Sequence, residues 1–121
     1  MARVYVVDDD PAIIEVIEII LKEEGHTVGT NPGHAIEEGV VAFNPDIVLL
    51  DIWMPGLDGR EVAENLRKQD GDHYAIILMS AHSSVRSAVK PGVVDDFLEK
   101  PFDMQYLLDM VARLSVKDGK I

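Results

Sequence analysis

The sequence predicts an α/β domain: a five-stranded, doubly wound parallel sheet with helices on both faces and a shortened or irregular fourth helix. Three observations carry that expectation. Short runs of β-branched and aliphatic residues recur five times, as strands buried on both faces require. Stretches of helical period separate them, and parallel neighbours need such crossovers. A chain of 121 residues that is 47% hydrophobic holds one core and is too apolar to stay disordered.

The elements follow in order. Residues 3–7, RVYVV, are β-branched and apolar and read as a buried strand. Asp10 is a preferred N-cap and Pro11 suits the first helical position, so a helix starts there. Ile13, Val16, Ile17, Ile20 and Leu21 share one stripe of that helix, and Gly25 stops it. Residues 26–30 form a short second strand and residues 34–41 a two-turn helix. Asn44-Pro45 breaks the chain before the third strand, residues 46–51. A stiff Pro55–Gly59 elbow follows, then a helix over 60–69 with Val62, Ala63 and Leu66 facing inward. Residues 74–80 read as a fourth strand. The helical pattern over 84–90 is cut off by Pro91-Gly92, which is why the fourth helix is expected to be short. A fifth strand over 95–100 and a last helix over 103–114, capped by Asp103, complete the set, and the tail from 115 shows no periodicity. With no repeat, linker or low-complexity stretch, residues 1–121 read as a single domain.

Composition narrows the function. No apolar run reaches the roughly 18 residues of a membrane span, and no charged-then-apolar leader precedes the first strand. Zero cysteines leave no disulfide framework and no thiolate metal site, which suits a cytoplasmic setting. Eleven basic against 22 acidic residues give a net charge of −11. That balance argues against direct nucleic acid contact by this domain, because phosphate neutralisation needs clustered Lys and Arg. A cation or a basic partner patch fits better.

In doubly wound sheets, sites lie at the carboxyl ends of the strands. Strand one delivers Asp8 and Asp9 there, strand three Asp51, strand four Ser80 and strand five Lys100. Carboxylates about 4 Å apart repel by roughly 4 kcal/mol at an effective dielectric near 20. Either their pKa values rise or a cation sits among them. A donor set of oxygen atoms without His or Cys selects a hard ion, Mg²⁺ (or Mn²⁺) before Zn²⁺. Lys100 and the Ser80 hydroxyl suit an anionic group beside that ion, which is what phosphoryl transfer requires. The nucleophile on offer is a carboxylate, able to form an aspartyl-phosphate.

The stretches VVDDDP, PDIVLLDIWMPGLDG, ILMSAH and DDFLEKPF occur in this order over nearly the whole chain. In them the sequence resembles the receiver domains of two-component response regulators. The resemblance implies a flavodoxin-like fold with strand order 2-1-3-4-5. It implies that Asp51 is the phosphoacceptor, and that Asp8, Asp9, Asp51 and the backbone carbonyl of Trp53 hold Mg²⁺. Ser80 is then the switch hydroxyl, Phe97 the switch aromatic and Lys100 the phosphate-pairing lysine, with a cis peptide at Lys100-Pro101. Trp53 and His82 take the flanking positions that tune how readily water reaches the acyl phosphate. Ile14, at the edge of the first helix's stripe, is expected to contact the phosphodonor, a sensor histidine kinase or histidine phosphotransfer protein. Ile19 falls on the polar side of the same helix, and exposed apolar groups there suit a helical partner. The implied function is a signalling switch that catalyses only its own phosphorylation and dephosphorylation. It is either stand-alone or excised from a longer regulator, with an output partner or fused effector and an oligomeric state that the sequence does not name.

The chain departs from the family pattern at three places. The stretch between Ser80 and Lys100 is about two residues short of the usual length. Phe97 stands where tyrosine is frequent, and Arg60 where many relatives carry an apolar residue. Asp10 reads as a cap and Asp58 as a turn former; the histidines lack ligand spacing, and Met54, Met79, Met104 and Met110 read as packing. Three rival functions share some of these features. A flavin-binding electron carrier needs a phosphate loop after strand one, where DDDP repels phosphate. An aspartyl phosphatase wants Asp8 as nucleophile and a cap domain. A degenerate receiver, a phosphorylation-independent protein-binding module, has no need of the complete acid–serine–lysine set.

Overall fold

In the computed structural model, which describes residues 1–71, 73–81 and 91–117, the predicted alternation is present. The chain runs β1 (Arg3–Val7), α1 (Pro11–Glu23), β2 (Thr27–Asn31), α2 (Ile36–Phe43) and β3 (Ile47–Asp51). It continues with β4 (Trp53–Met54), β5 (Leu57–Asp58), α3 (Gly59–Asp70), β6 (Ala75–Ser80), β7 (Asp96–Glu99) and α4 (Met104–Lys117). Five strands form one parallel sheet in the order β2-β1-β3-β6-β7, which is order 2-1-3-4-5 of the long strands. The expected fourth helix and His82 lie outside the described residues.

Strand residues alternate between two cores. Val4, Val6, Ile47, Leu49, Ile77 and Met79 face α1 and α4, where Ile17, Leu21, Leu107 and Val111 meet them. Tyr5, Val7, Val48, Leu50, Ile76 and Leu78 face the other side and pack on Ile36, Val40, Val62 and Leu66 of α2 and α3. Both faces of the central strands are therefore dry, and each strand reads as a continuous apolar run because each residue meets a helix on one side or the other.

Several boundaries differ from the sequence reading for local reasons. The second helix starts at Ile36 rather than residue 34, because Asn31 Oδ1 accepts the backbone N–H groups of Gly33 (2.7 Å) and His34 (2.8 Å) and holds that stretch in a turn. Ala35 then enters α2 in the left-handed region at φ 49°. The last helix runs on to Lys117, three residues into the stretch that lacks periodicity. Val16, read as part of the inward stripe, is 42% exposed, since Ile17 and Leu21 centre the buried arc of α1 and Val16 falls on its flank. The elbow after Asp51 is an antiparallel hairpin of β4 and β5, too short to leave a strand signal. Asp10 caps α1 as expected, its carboxylate accepting the Ala12 N–H at 2.9 Å. Asp103 likewise accepts the Gln105 N–H at 2.7 Å.

Two arginines do the long-range fastening. Arg3 donates to the Phe43 and Asn44 carbonyls that end α2 and stacks on the Phe43 ring at 4.3 Å. Arg67, on α3, donates to the carbonyls of Gly71, Tyr74 and Val93 and pairs with Asp95 at 2.9 Å. Asp95 also accepts the Ile76 N–H, so this one side chain links α3, β6 and the approach to β7.

Gly59 sets the return of the hairpin onto the sheet. Its N–H donates to the Ile52 carbonyl at 2.8 Å, and a Cβ placed on it meets the Asp51 carbonyl oxygen at 2.3 Å. Gly59→Ala is expected to lower stability by about 2–3 kcal/mol, the cost of forcing a methyl against backbone. Urea denaturation of the variant beside wild type measures it, and an unchanged midpoint counts against this packing argument. Arg67→Met removes the donor shared by three carbonyls and the ion pair to Asp95, and should cost about 2–4 kcal/mol by the same measurement.

Candidate functional site

Parallel strands in register end together, so the residues after them meet at one edge. Asp8 follows β1, Asp51 ends β3, Ser80 ends β6 and Lys100 follows β7. Asp8, Asp51 and Ser80 are all buried, and Asp9 is exposed. Carboxylate oxygens of Asp8, Asp9 and Asp51 lie within 4.8 Å of one another. The Lys100 ammonium donates to Asp8 Oδ2 at 2.8 Å and to Asp51 Oδ1 at 3.1 Å, joining the outer strand β7 to the two central strands. Asp8 is oriented in turn by the Asp10 N–H, which donates to its Oδ1 at 2.9 Å. The Lys100 backbone N–H donates to the Ser80 carbonyl at 2.8 Å, and the Lys100-Pro101 peptide is cis.

The electrostatics follow from burial. Burial first, and the neighbouring Asp8 second, push the Asp51 carboxyl above the usual carboxylate range, against the opposing pull of Lys100. Burial works to lower the pKa of Lys100, but its bonds to Asp8 and Asp51 outweigh this and hold it above its ordinary value. Three carboxylates and one ammonium leave two negative charges in the pocket. A cluster of hard oxygen donors with that excess fits a divalent cation of the Mg²⁺ class.

Of the other residues singled out in the sequence, Phe97 is half-buried and packs on the core that faces α2 and α3. Trp53 is 53% exposed on the hairpin. Ile14 is half-buried against the core of the α1 face. A separate apolar cavity of about 450 Å³ opens beside Lys100, walled by Ala12, Ile13, Val16 and Ile17 of α1 and by Pro101, Phe102 and Met104. Ile13 and Val16, rather than Ile14, therefore line the concave part of this face. Asp58 caps α3 through the Arg60 N–H and pairs with the Arg60 guanidinium, whose hydrogen bonds hold the Asp58 carboxyl below the usual range. The sequence signal for that pair was the Asp-x-Arg spacing at a helix start, which reads as a turn until the indole of Trp53 is seen against it.

A family model described as "Response regulator receiver domain" matches residues 4–112. The chain belongs to that family, the receivers of two-component response regulators. Among solved structures it is similar to the response regulator TrrA of Thermotoga maritima, determined in complex with Mg²⁺–BeF. That likeness has a TM-score of 0.86 and 37% identity, covering 94% of this chain and 99% of that one. Among curated relatives it is 39% identical over 109 residues to the response regulator MprA of Mycobacterium ulcerans, covering 88% of this chain and 47% of that one. It is 37% identical over 117 residues to the transcriptional regulatory protein TcrA of Mycobacterium tuberculosis, covering 93% of this chain and 46% of that one. The chain thus spans about half the length of the curated relatives it matches. Among the described residues no helix is long and apolar enough to cross a membrane.

The raised pKa of Asp51 has a signed consequence. Folding favours its protonated form, so the benefit is present below the unfolded carboxylate pKa near 4 and is lost as pH rises through the higher folded value. In metal-free buffer, Asp51→Asn should therefore unfold at a higher temperature than wild type, by a margin that widens from pH 4 to pH 7. Lys100→Ala, which leaves Asp8 and Asp51 unpaired, should have the opposite sign and cost about 3 kcal/mol. Thermal unfolding across that pH range checks both, and equal midpoints for Asp51→Asn and wild type at pH 7 contradict the assigned strain.

Proposed function

We propose that the chain is a phosphorylation-dependent signalling switch whose phosphoacceptor is Asp51. The observation that carries this reading is the Lys100 ammonium bridging Asp8 and Asp51 inside a cluster of three carboxylates. An Asp51 carboxylate oxygen bonds to phosphorus as the donor's P–N bond breaks, and the electron pair leaves with the donor imidazole. With a small acyl phosphate as donor, the breaking bond is P–O. Asp8, Asp9, Asp51 and the Trp53 carbonyl are the groups to hold Mg²⁺ or Mn²⁺, which neutralises the pocket and the incoming phosphoryl oxygens when bound. Lys100 then exchanges a carboxylate oxygen for a phosphoryl oxygen, and Ser80 supplies a hydroxyl from the end of β6. Phe97 responds on the far side of β7, shifting between two states of the domain.

The donor we propose is a sensor histidine kinase or histidine phosphotransfer protein, docked on α1. Val16, which walls the apolar cavity, is 42% exposed on that helix and Ile19 is 51% exposed, while Ile14 is half-buried against the core. Residues 1–121 act as one receiver domain, catalysing only the gain and loss of its own phosphoryl group. The transcriptional relatives support an output partner or fused effector and a cytoplasmic setting.

Incubation with labelled acetyl phosphate tests the reading. Label should enter about one site per chain with Mg²⁺ present, vanish with chelator, and vanish in Asp51→Asn. Trp53, the single tryptophan, should change fluorescence with Mg²⁺ and again with beryllofluoride. Label that persists in Asp51→Asn, or none in wild type, overturns it; the second outcome favours a phosphorylation-independent binding module.

A further inference from the structure

Trp53 presents a puzzle of placement. It is the single tryptophan of the chain and 53% exposed, so core packing does not account for it. It stands two residues beyond Asp51, on the short hairpin that leaves the acidic pocket. Yet it is not loose. Its cross-strand partner is Asp58, the N-cap of α3. Asp58 grips the Arg60 guanidinium with both oxygens, Nε to Oδ1 at 3.0 Å and Nη2 to Oδ2 at 2.6 Å. The guanidinium carbon in turn lies 5.5 Å from the centre of the Trp53 ring. The root of this arrangement is fixed as well, because Gly59 lies against the Asp51 carbonyl. A planar cation held by both oxygens of a carboxylate and set over an indole at cation–π distance is an arrangement that lysine does not reproduce.

We infer that Arg60 is a positioning residue, clamped by Asp58, that holds the Trp53 indole at the rim of the acidic pocket and so screens a phosphoryl group on Asp51 from water. This rests on Asp51 being the phosphoacceptor. The step it slows is hydrolysis: a water oxygen bonds to phosphorus, the P–O bond to Asp51 breaks, its electron pair returns to the carboxylate, and dihydrogen phosphate leaves. Arg60 touches none of these atoms, so its effect passes entirely through Trp53.

The test uses the whole chain labelled from acetyl phosphate, with decay of the label followed after the donor is removed. Arg60→Ala should shorten the phosphoryl lifetime about two- to fivefold, the population change that an exposed cation–π contact commands. Asp58→Asn keeps a capping oxygen but weakens the fork, and should move the lifetime the same way. Trp53→Ala should shorten it at least as much, and the double variant Trp53→Ala/Arg60→Ala should decay like Trp53→Ala alone. Acrylamide quenching of Trp53 should rise in Arg60→Ala without any phosphorylation. Unchanged quenching, an unchanged lifetime in either Arg60→Ala or Trp53→Ala, or an Arg60 effect that persists once Trp53 is gone overturns the clamp. If wild type takes no label, the phosphoacceptor reading falls and the clamp's role falls with it; label that enters normally but decays identically in all variants overturns the clamp alone.

Discussion

A parallel sheet dry on both faces has only its strand ends for polar side chains. Here Val4 to Val7 and Ile47 to Leu50 are buried without exception, half of them against α1 and α4 and half against α2 and α3. A carboxylate anywhere along them meets hydrocarbon on one side or the other, at a cost of several kcal/mol. The acids therefore collect where the strands stop, and register brings those stops together. The crowding of Asp8 against Asp51, the raised pKa of Asp51 and the recruitment of Lys100 from the outer strand all follow from that placement.

β7 is held at both of its ends by charge. Asp95, just before it, pairs with one guanidinium nitrogen of Arg67 from α3, and Lys100, just after it, sits between Asp8 and Asp51. Between these anchors Phe97 packs toward α3, and Leu98 packs toward α4. The strand that contributes the cation to the acidic pocket is thus the same strand that touches helices on both faces. This is the physical basis for reading the pocket and the outer face of the domain as parts of one element rather than as neighbours.

The elbow that leaves Asp51 is stiff for reasons that are local and additive. Gly56 takes φ +73° at the hairpin turn, Gly59 leaves no room for a Cβ at the Asp51 carbonyl, and Asp58 both caps α3 and pairs with Arg60. Each residue has a modest role alone. Together they return the chain to the sheet within a few residues and leave Trp53 on the outside of the bend.

Hydrophobic period and end signals were enough, without coordinates, to order the strands and helices and to nominate Asp8, Asp9, Asp51, Ser80 and Lys100, because burial on both faces writes strands as apolar runs and expels polar residues to their ends. Boundaries were legible only to within one to three residues, since competing side-chain bonds such as those of Asn31 delay a helix that periodicity alone starts earlier. The hairpin of β4 and β5 was illegible, because two-residue strands carry no period. The outward flank of α1 was misjudged at Val16, because a wheel gives the direction of a stripe and the packing partners decide its width. What the sequence alone determined was which chemistry reaches the edge of the sheet. Tertiary structure decided which groups touch there: Lys100 on two carboxylates rather than one, Arg67 across three elements, and Arg60 on Trp53. Those contacts depend on side-chain directions across elements distant in the chain, which no local pattern encodes.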